Sequence, residues 1–290
     1  MILEDGKISL EGMFDLHVHA SPSIMRRRFS ALEALKLASA EGMGGFLLLD
    51  HTYNTTVIAQ ILNEMGCRTQ VFGAILLNES VGGLNPSVVE AAIQLGTKQI
   101  EMPTYSARSH REKYGDDQKN FPYQKRVKGI YILDDRGRLI SEVEDILQLL
   151  KGSHTFLGTG HLSIPEIEAL IDRTRELTVP VLVNSVSTDI IDMPIDVQRE
   201  LAGDHVFMEH DYAILTEIVH RKTEVGSVVE QIRAVGAERC VIGTDTGQLI
   251  LPDLVDGLKN FIRQLLENGI SENELDLMTR KNPRTLLGIS

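Results

Sequence analysis

Short continuous apolar runs alternate with longer amphipathic segments along the chain. Continuous runs mark strands buried on both faces, as a parallel sheet covered by helices requires. The predicted strands are Met13–Val18, Gly45–Leu49, Gln70–Leu77, Gln99–Pro103, Phe156–Gly160, Val181–Val183, His205–Glu209 and Cys240–Gly243. Helical periodicity falls between and after them, over Ala31–Glu41, Thr55–Met65, Pro86–Leu95, Glu142–Leu150, Pro165–Leu177, Ile195–Ala202, Gly226–Val235 and Leu254–Glu267, with a C-terminal helical cap at Glu272–Leu287. Ser30 followed by Glu33 reads as a capping box opening the first helix. Eight strand–helix units predict an α/β fold, a (β/α)8 TIM barrel filling residues 1–290 as one domain. An open doubly wound sheet would carry a glycine-rich phosphate turn, which the sequence lacks. The alternation is interrupted after strand four by an insertion of about 106–141: a polar stretch from Ser106 to Gln124, then a β-hairpin from Val127–Leu133 through Asp134–Gly137 to Arg138–Ser141. Its place in the chain puts it over the barrel mouth.

The C-terminal ends of the strands, where barrels carry their chemistry, are polar. They read His17 and His19, Asp50 and His51, Asn78, Glu101 to Thr104, His161, Asn184 and Ser185, His210 and Asp211, and Asp245. His17 and His19 sit two apart on one strand, so both imidazoles face the same side and can serve as two ligands of a divalent transition metal. His51 and His210 are candidate catalytic residues that could orient water. Asp15 or Asp50 could fix the imidazole tautomers. Candidate substrate contacts are Asn78, Thr104, Arg108, His110 and Asn184, with Ser21, Ser23 and the basic run Arg26-Arg27-Arg28 on the loop after strand one.

Composition narrows the partners. A net charge of -12 over 290 residues argues against nucleic acid and anionic membranes, leaving a small-molecule substrate. Two distant cysteines, Cys67 and Cys240, fit a reducing compartment. The chain opens without a signal-like pattern and holds no apolar run long enough for a bilayer, so a cytoplasmic location is expected. A homo-oligomer is compatible with the sequence.

The elements Asp15-Leu16-His17-Val18-His19, Gly158-Thr159-Gly160-His161-Leu162-Ser163 and Ile242-Gly243-Thr244-Asp245-Thr246 resemble, in order and at strand ends, those of the amidohydrolase superfamily of metal-dependent hydrolases. The resemblance implies that His17, His19, His161 and Asp245 hold one metal, with its water as nucleophile and Asp245 also as general base. The expected reaction is cleavage of an amide, lactone, cyclic imide or ester. Zn2+ is the expected ion, with Mn2+, Fe2+ or Ni2+ also suited to such ligands. Two departures stand out. The histidine usual after strand six is replaced by Asn184-Ser185, and the bridging ligand of a two-metal site has only Glu101 as candidate, Lys98 lying too early. One ion is therefore favoured, with a second accommodated if Glu101, His51 or His210 contributes. A metal-dependent lyase such as a decarboxylase, or a barrel that binds without turnover, are the alternatives.

Overall fold

The computed structural model describes residues 6–115, 129–218 and 221–289. The start of the predicted lead-in, the 116–128 part of the insertion with the first residues of its predicted hairpin, and His220 lie outside the described residues.

Eight strands, β1 (Phe14–His19), β2 (Gly45–Leu49), β3 (Gln70–Leu76), β4 (Gln99–Glu101), β5 (Phe156–Gly158), β6 (Val181–Val183), β7 (Val206–Asp211) and β8 (Cys240–Gly243), pair in parallel in chain order. β8 returns to β1 where Asp245 N donates to His17 O at 2.9 Å and His19 N donates to Thr246 O at 2.8 Å. This is the TIM barrel that the alternation predicts. The helices are α1 (Ala31–Ala40), α2 (Thr56–Asn63), α3 (Pro86–Gln94), α4 (Arg108–Tyr114), α5 (Ser141–Leu150), α6 (Ile164–Leu177), α7 (Ile195–Leu201), α8 (Val225–Val235), α9 (Leu254–Glu267), α10 (Glu272–Asp276) and α11 (Asn282–Leu287). The capping box at Ser30 and Glu33 is formed, and none of the described helices is long and apolar enough to cross a membrane.

Strand parity sorts the apolar residues into two cores. Phe14, Leu16, Leu47, Phe72, Phe156, Leu182, Phe207 and Val241 fill the lower barrel interior, closed from below by Leu286 and Leu287 of α11. Residues of opposite parity, such as Phe46, Ile100, Leu157, Met208 and Ile242, face the helices in the outer core. Above the inner apolar layer the same inward positions become polar, and that change of character marks the mouth.

Three details differ from the expectations. The predicted C-terminal helical cap is broken by a π-turn, Leu277–Lys281, between α10 and α11. The insertion contains a helix, α4, in what reads as a polar stretch. Of the expected hairpin, the described part is a tight turn: Leu133 bridges Leu139 antiparallel, and the Asp134 carboxylate accepts from Arg136 N and Arg138 N.

Candidate metal centre

The pairing of β1 with β2 shifts register between Asp15 and Val18, and just there the strand delivers His17 and His19 into the mouth. Nε2 of His17 lies 3.6 Å and Nε2 of His19 3.4 Å from Oδ1 of Asp245. All three ligand atoms fall within 4.8 Å of one another. Asp245 follows β8 in left-handed backbone (φ 48), a conformation Asp tolerates better than most residues and one that recurs at functional sites. Gly247 lets the two loops close: a Cβ there would meet His19 O at 2.0 Å.

The other nitrogen of each imidazole is already engaged. His17 Nδ1 lies 3.1 Å from Glu209 Oε2, and His19 Nδ1 lies 3.1 Å from Leu49 O. Donation from both Nδ1 atoms aims each Nε2 at Asp245 and, once Nε2 is deprotonated, gives the tautomer a metal ligand needs. The expected acceptors, Asp15 and Asp50, take hydrogen bonds from backbone and threonine hydroxyls instead. Asp15 accepts from His17 N and from Thr244 N and Oγ1, and Asp50 accepts from Thr52.

Glu209, which the strand-end pattern passes over, and Asp211, which it includes without a role, are alternate residues of β7, and both are fully buried in the interior. Besides His17, Glu209 accepts from Asn184 Nδ2 at 3.0 Å and Ser185 N at 3.3 Å. Asp211 Oδ2 accepts from Ser185 Oγ at 2.6 Å. Oε1 of Glu209 and Oδ1 of Asp211 are buried without a hydrogen-bond partner, the latter 3.7 Å from His17 Nδ1. The signal was available: a glutamate inside an apolar strand, sharing parity with Asp211.

The electrostatics show a surplus of buried carboxylates. Burial raises Asp211 well above its ordinary value and Glu101 to about 8, with Glu209 adding to both. Burial also lifts Asp15 to about 6, against the hydrogen bonds from Thr244. Burial works against a charge on His17, yet Glu209, Asp245 and Asp211 hold its pKa well above normal. Burial would likewise raise Asp245, but His17 and His19 keep it below normal. A proton on His17 thus balances carboxylates that a cation would balance better. This surplus, the two orphaned oxygens and the two oriented imidazoles fit a divalent metal.

The remaining predicted residues divide. Burial and neighbouring positive groups keep His51 and His161 neutral. His51 stacks on His19 with centroids 4.8 Å apart, its Nδ1 3.0 Å from Thr104 Oγ1. His161 is outside the close ligand group; its Nδ1 faces His110 Nδ1 at 2.9 Å. Tyr105, absent from the sequence reading, presents its ring edge-on among His51, His110 and His161 at 4.4, 4.9 and 5.5 Å. α4 carries His110 to this cluster and is fastened by Ser109 to His161 O and by Tyr114 to Asp189 at 2.9 Å. Glu101 faces the interior but accepts from Gln99 and lies outside both close ligand groups.

Other residues are corrected by their partners. Asn78 spends its amide on His51 O, Thr104 Oγ1, Thr104 N and Ser106 N. Through these bonds it and Thr104 brace His51. Asn184 is committed to Glu209 and Gly160 N. Arg108 is exposed, paired with Glu112 and set over Tyr131. His210 has the wrong strand parity for the interior. It points among the helices, bonded through Ser187 to Gln231 and Gln198.

Over residues 12–209 the chain matches a family described as a family of unknown function (DUF6282). No curated protein matches it. Its TIM-barrel fold is shared with several solved structures. An amidohydrolase from Pseudomonas aeruginosa is 13% identical with a TM-score of 0.64, covering 96% of this chain and 95% of that one. PvdM of the same organism, named a probable dipeptidase, is 11% identical with a TM-score of 0.63, covering 95% and 94%. An uncharacterized TIM-barrel protein, Bb4693 of Bordetella bronchiseptica, is 9% identical with a TM-score of 0.59, covering 95% and 98%.

Proposed function

The chain belongs to that family of unknown function, and from this premise we propose that it is a metal-dependent hydrolase cleaving an amide, lactone, cyclic imide or ester bond of a small molecule. The observation that carries the reading is the convergence of His17 Nε2, His19 Nε2 and Asp245 Oδ1 within 4.8 Å, with both Nδ1 atoms engaged elsewhere. The names of an amidohydrolase and a dipeptidase among proteins of this fold support it.

His17, His19 and Asp245 would hold the ion, and zinc suits this donor set, as do manganese, iron and nickel. A bound divalent ion supplies a Lewis acid that polarises the scissile carbonyl and brings the pKa of water to roughly 7. Asp245, held ionised by its histidines, takes the proton of the attacking water and returns it to the leaving group. Glu209 keeps His17 oriented through the cycle. His51 and His161, both neutral, flank the mouth and hydrogen-bond the substrate's oxygen or leaving group. The half-buried ring of Tyr105 and helix α4 limit access of bulk water from that side.

The test is elemental analysis of protein purified without added metal, beside the His17→Ala/His19→Ala variant, followed by a panel of amides, lactones, imides and esters. About one equivalent of metal, lost in the variant, and turnover that disappears with a chelator and returns with zinc are expected. Undiminished turnover after stripping overturns the reading, as does CO2 release from an aromatic acid without hydrolysis of any panel member.

A further inference from the structure

The loop after β1 carries three consecutive arginines, and the structure separates them. Arg26 and Arg28 are exposed, whereas Arg27 between them is half-buried. The loop is fastened on several sides. Ser21 N donates to Phe29 O at 3.0 Å, Arg28 N to Gly247 O at 2.8 Å and Tyr53 Oη to Pro22 O at 2.5 Å. Arg28 spends its guanidinium on Leu249 O. These anchors tie the loop to the segments after β2 and β8, which also frame the metal centre, and they turn Arg27 inward.

Arg27 then finds almost nothing to bind. Its Nε is buried without a hydrogen-bond partner, and its Nη2 reaches only the Met25 sulfur at 3.8 Å, a weak acceptor. No ion pair among the described residues uses it. A desolvated guanidinium N–H left unpaired is costly.

We propose that Arg27 is the anion-binding residue of this site, and that the substrate carries a carboxylate which Arg27 holds while the hydrolysable bond lies at Asp245. The proposal rests on the hydrolase reading above and adds the class of substrate. A guanidinium fork matches the two oxygens of a carboxylate. A single positive charge also limits the ligand to a monoanion. A phosphate dianion would keep an uncompensated charge facing Asp245, Asp211 and Glu209.

The experiment measures dissociation constants by calorimetry for two matched pairs, N-acetylglycine with N-acetylglycinamide and benzoate with benzamide, and for inorganic phosphate. The metal-loaded protein, the chelator-treated protein, Arg27→Gln and Arg27→Lys are compared. At least one acid is expected to bind tenfold or more tighter than its amide and tighter than phosphate. Arg27→Gln should abolish that preference with metal content unchanged, and Arg27→Lys, a point charge without the fork, should keep part of it. The preference should survive chelation, because it belongs to Arg27. Acids and amides that bind alike, or not at all, overturn the proposal, as does a preference retained by Arg27→Gln or phosphate binding tighter than either acid. Failure here with metal and panel turnover intact removes only the substrate class. A protein that refuses metal fails the hydrolase reading, while the Arg27 preference is still read on metal-free protein.

Discussion

Nδ1 of His17 lies 3.1 Å from Oε2 of Glu209, a carboxylate with no exposed surface. Asn184 and Ser185 N hold Glu209 from the other side, so the residues at the end of β6 reach His17 through a carboxylate. A buried carboxylate behind a ligating imidazole fixes its tautomer and strengthens its donor nitrogen. Glu209→Gln is therefore expected to lower metal affinity by about tenfold to a hundredfold, measured by competition with a chromophoric chelator while circular dichroism reports an intact fold. Unchanged affinity would remove Glu209 from the centre.

His110 and His161 share a hydrogen bond between Nδ1 atoms 2.9 Å apart and stack with centroids 4.8 Å apart. One must donate and the other accept, so the pair fixes opposite tautomers. His110→Phe keeps the stacking and removes the bond. Turnover of any panel substrate should fall by about a hundredfold, the lower end of what a positioned acid–base group contributes, with metal content unchanged. Loss of metal in this variant would instead make His161 a ligand held in place by His110.

The barrel was legible because its strands are continuous apolar runs that end in polar residues, a pattern only a sheet covered on both sides produces. His17, His19 and Asp245 were legible for the same reason, since each stands at a strand end. What failed was parity and partnership. His210 attracts attention as an imidazole, but its neighbours Glu209 and Asp211 hold the inward positions. Asn78 and Thr104 look like substrate contacts in sequence, yet their hydrogen bonds go to each other, to His51 and to Ser106 N. Arg27 could not be told from Arg26 and Arg28, because only the fastening of the loop by Gly247 and Tyr53 decides which one turns inward.

Burial alone lowers His210 to about 3, and its Nδ1 lies 2.8 Å from Ser187 Oγ. Unfolded, the same imidazole titrates near 6.5. Between these values the unfolded chain binds a proton that the folded chain refuses, so stability falls as the pH drops from 6.5 toward 3. The slope from this group is at most about 1.4 kcal/mol per pH unit. His210→Gln removes the titration. It should be less stable than the parent at pH 7, having lost its fitted partner, and the gap should narrow by pH 5 in urea unfolding curves with chelator present. Parallel acid profiles for the two proteins would contradict a neutral buried His210.

Gly247 joins the metal centre to the loop that carries Arg27, since its carbonyl accepts from Arg28 N at 2.8 Å. Its φ of +129° suits glycine, and an added Cβ would stand 2.0 Å from His19 O and 2.8 Å from His19 Cβ. The obstacle is backbone of β1, which cannot swing aside as a long side chain could. Gly247→Ala must strain its own backbone, displace the ligand strand, or both. It is expected to cost about 1–3 kcal/mol of stability, the usual range for overpacking a tight contact, and to reduce bound metal because His19 moves relative to Asp245. Gly226→Ala on α8 is the control: a Cβ there meets nothing within 4 Å, and helix propensity favours alanine by up to about 1 kcal/mol. Thermal unfolding and metal content of the two variants, measured side by side, separate a local clash from a general sensitivity to added methyl groups. If Gly247→Ala keeps both its melting temperature and its metal, the close approach of these two loops does not set the geometry of the centre.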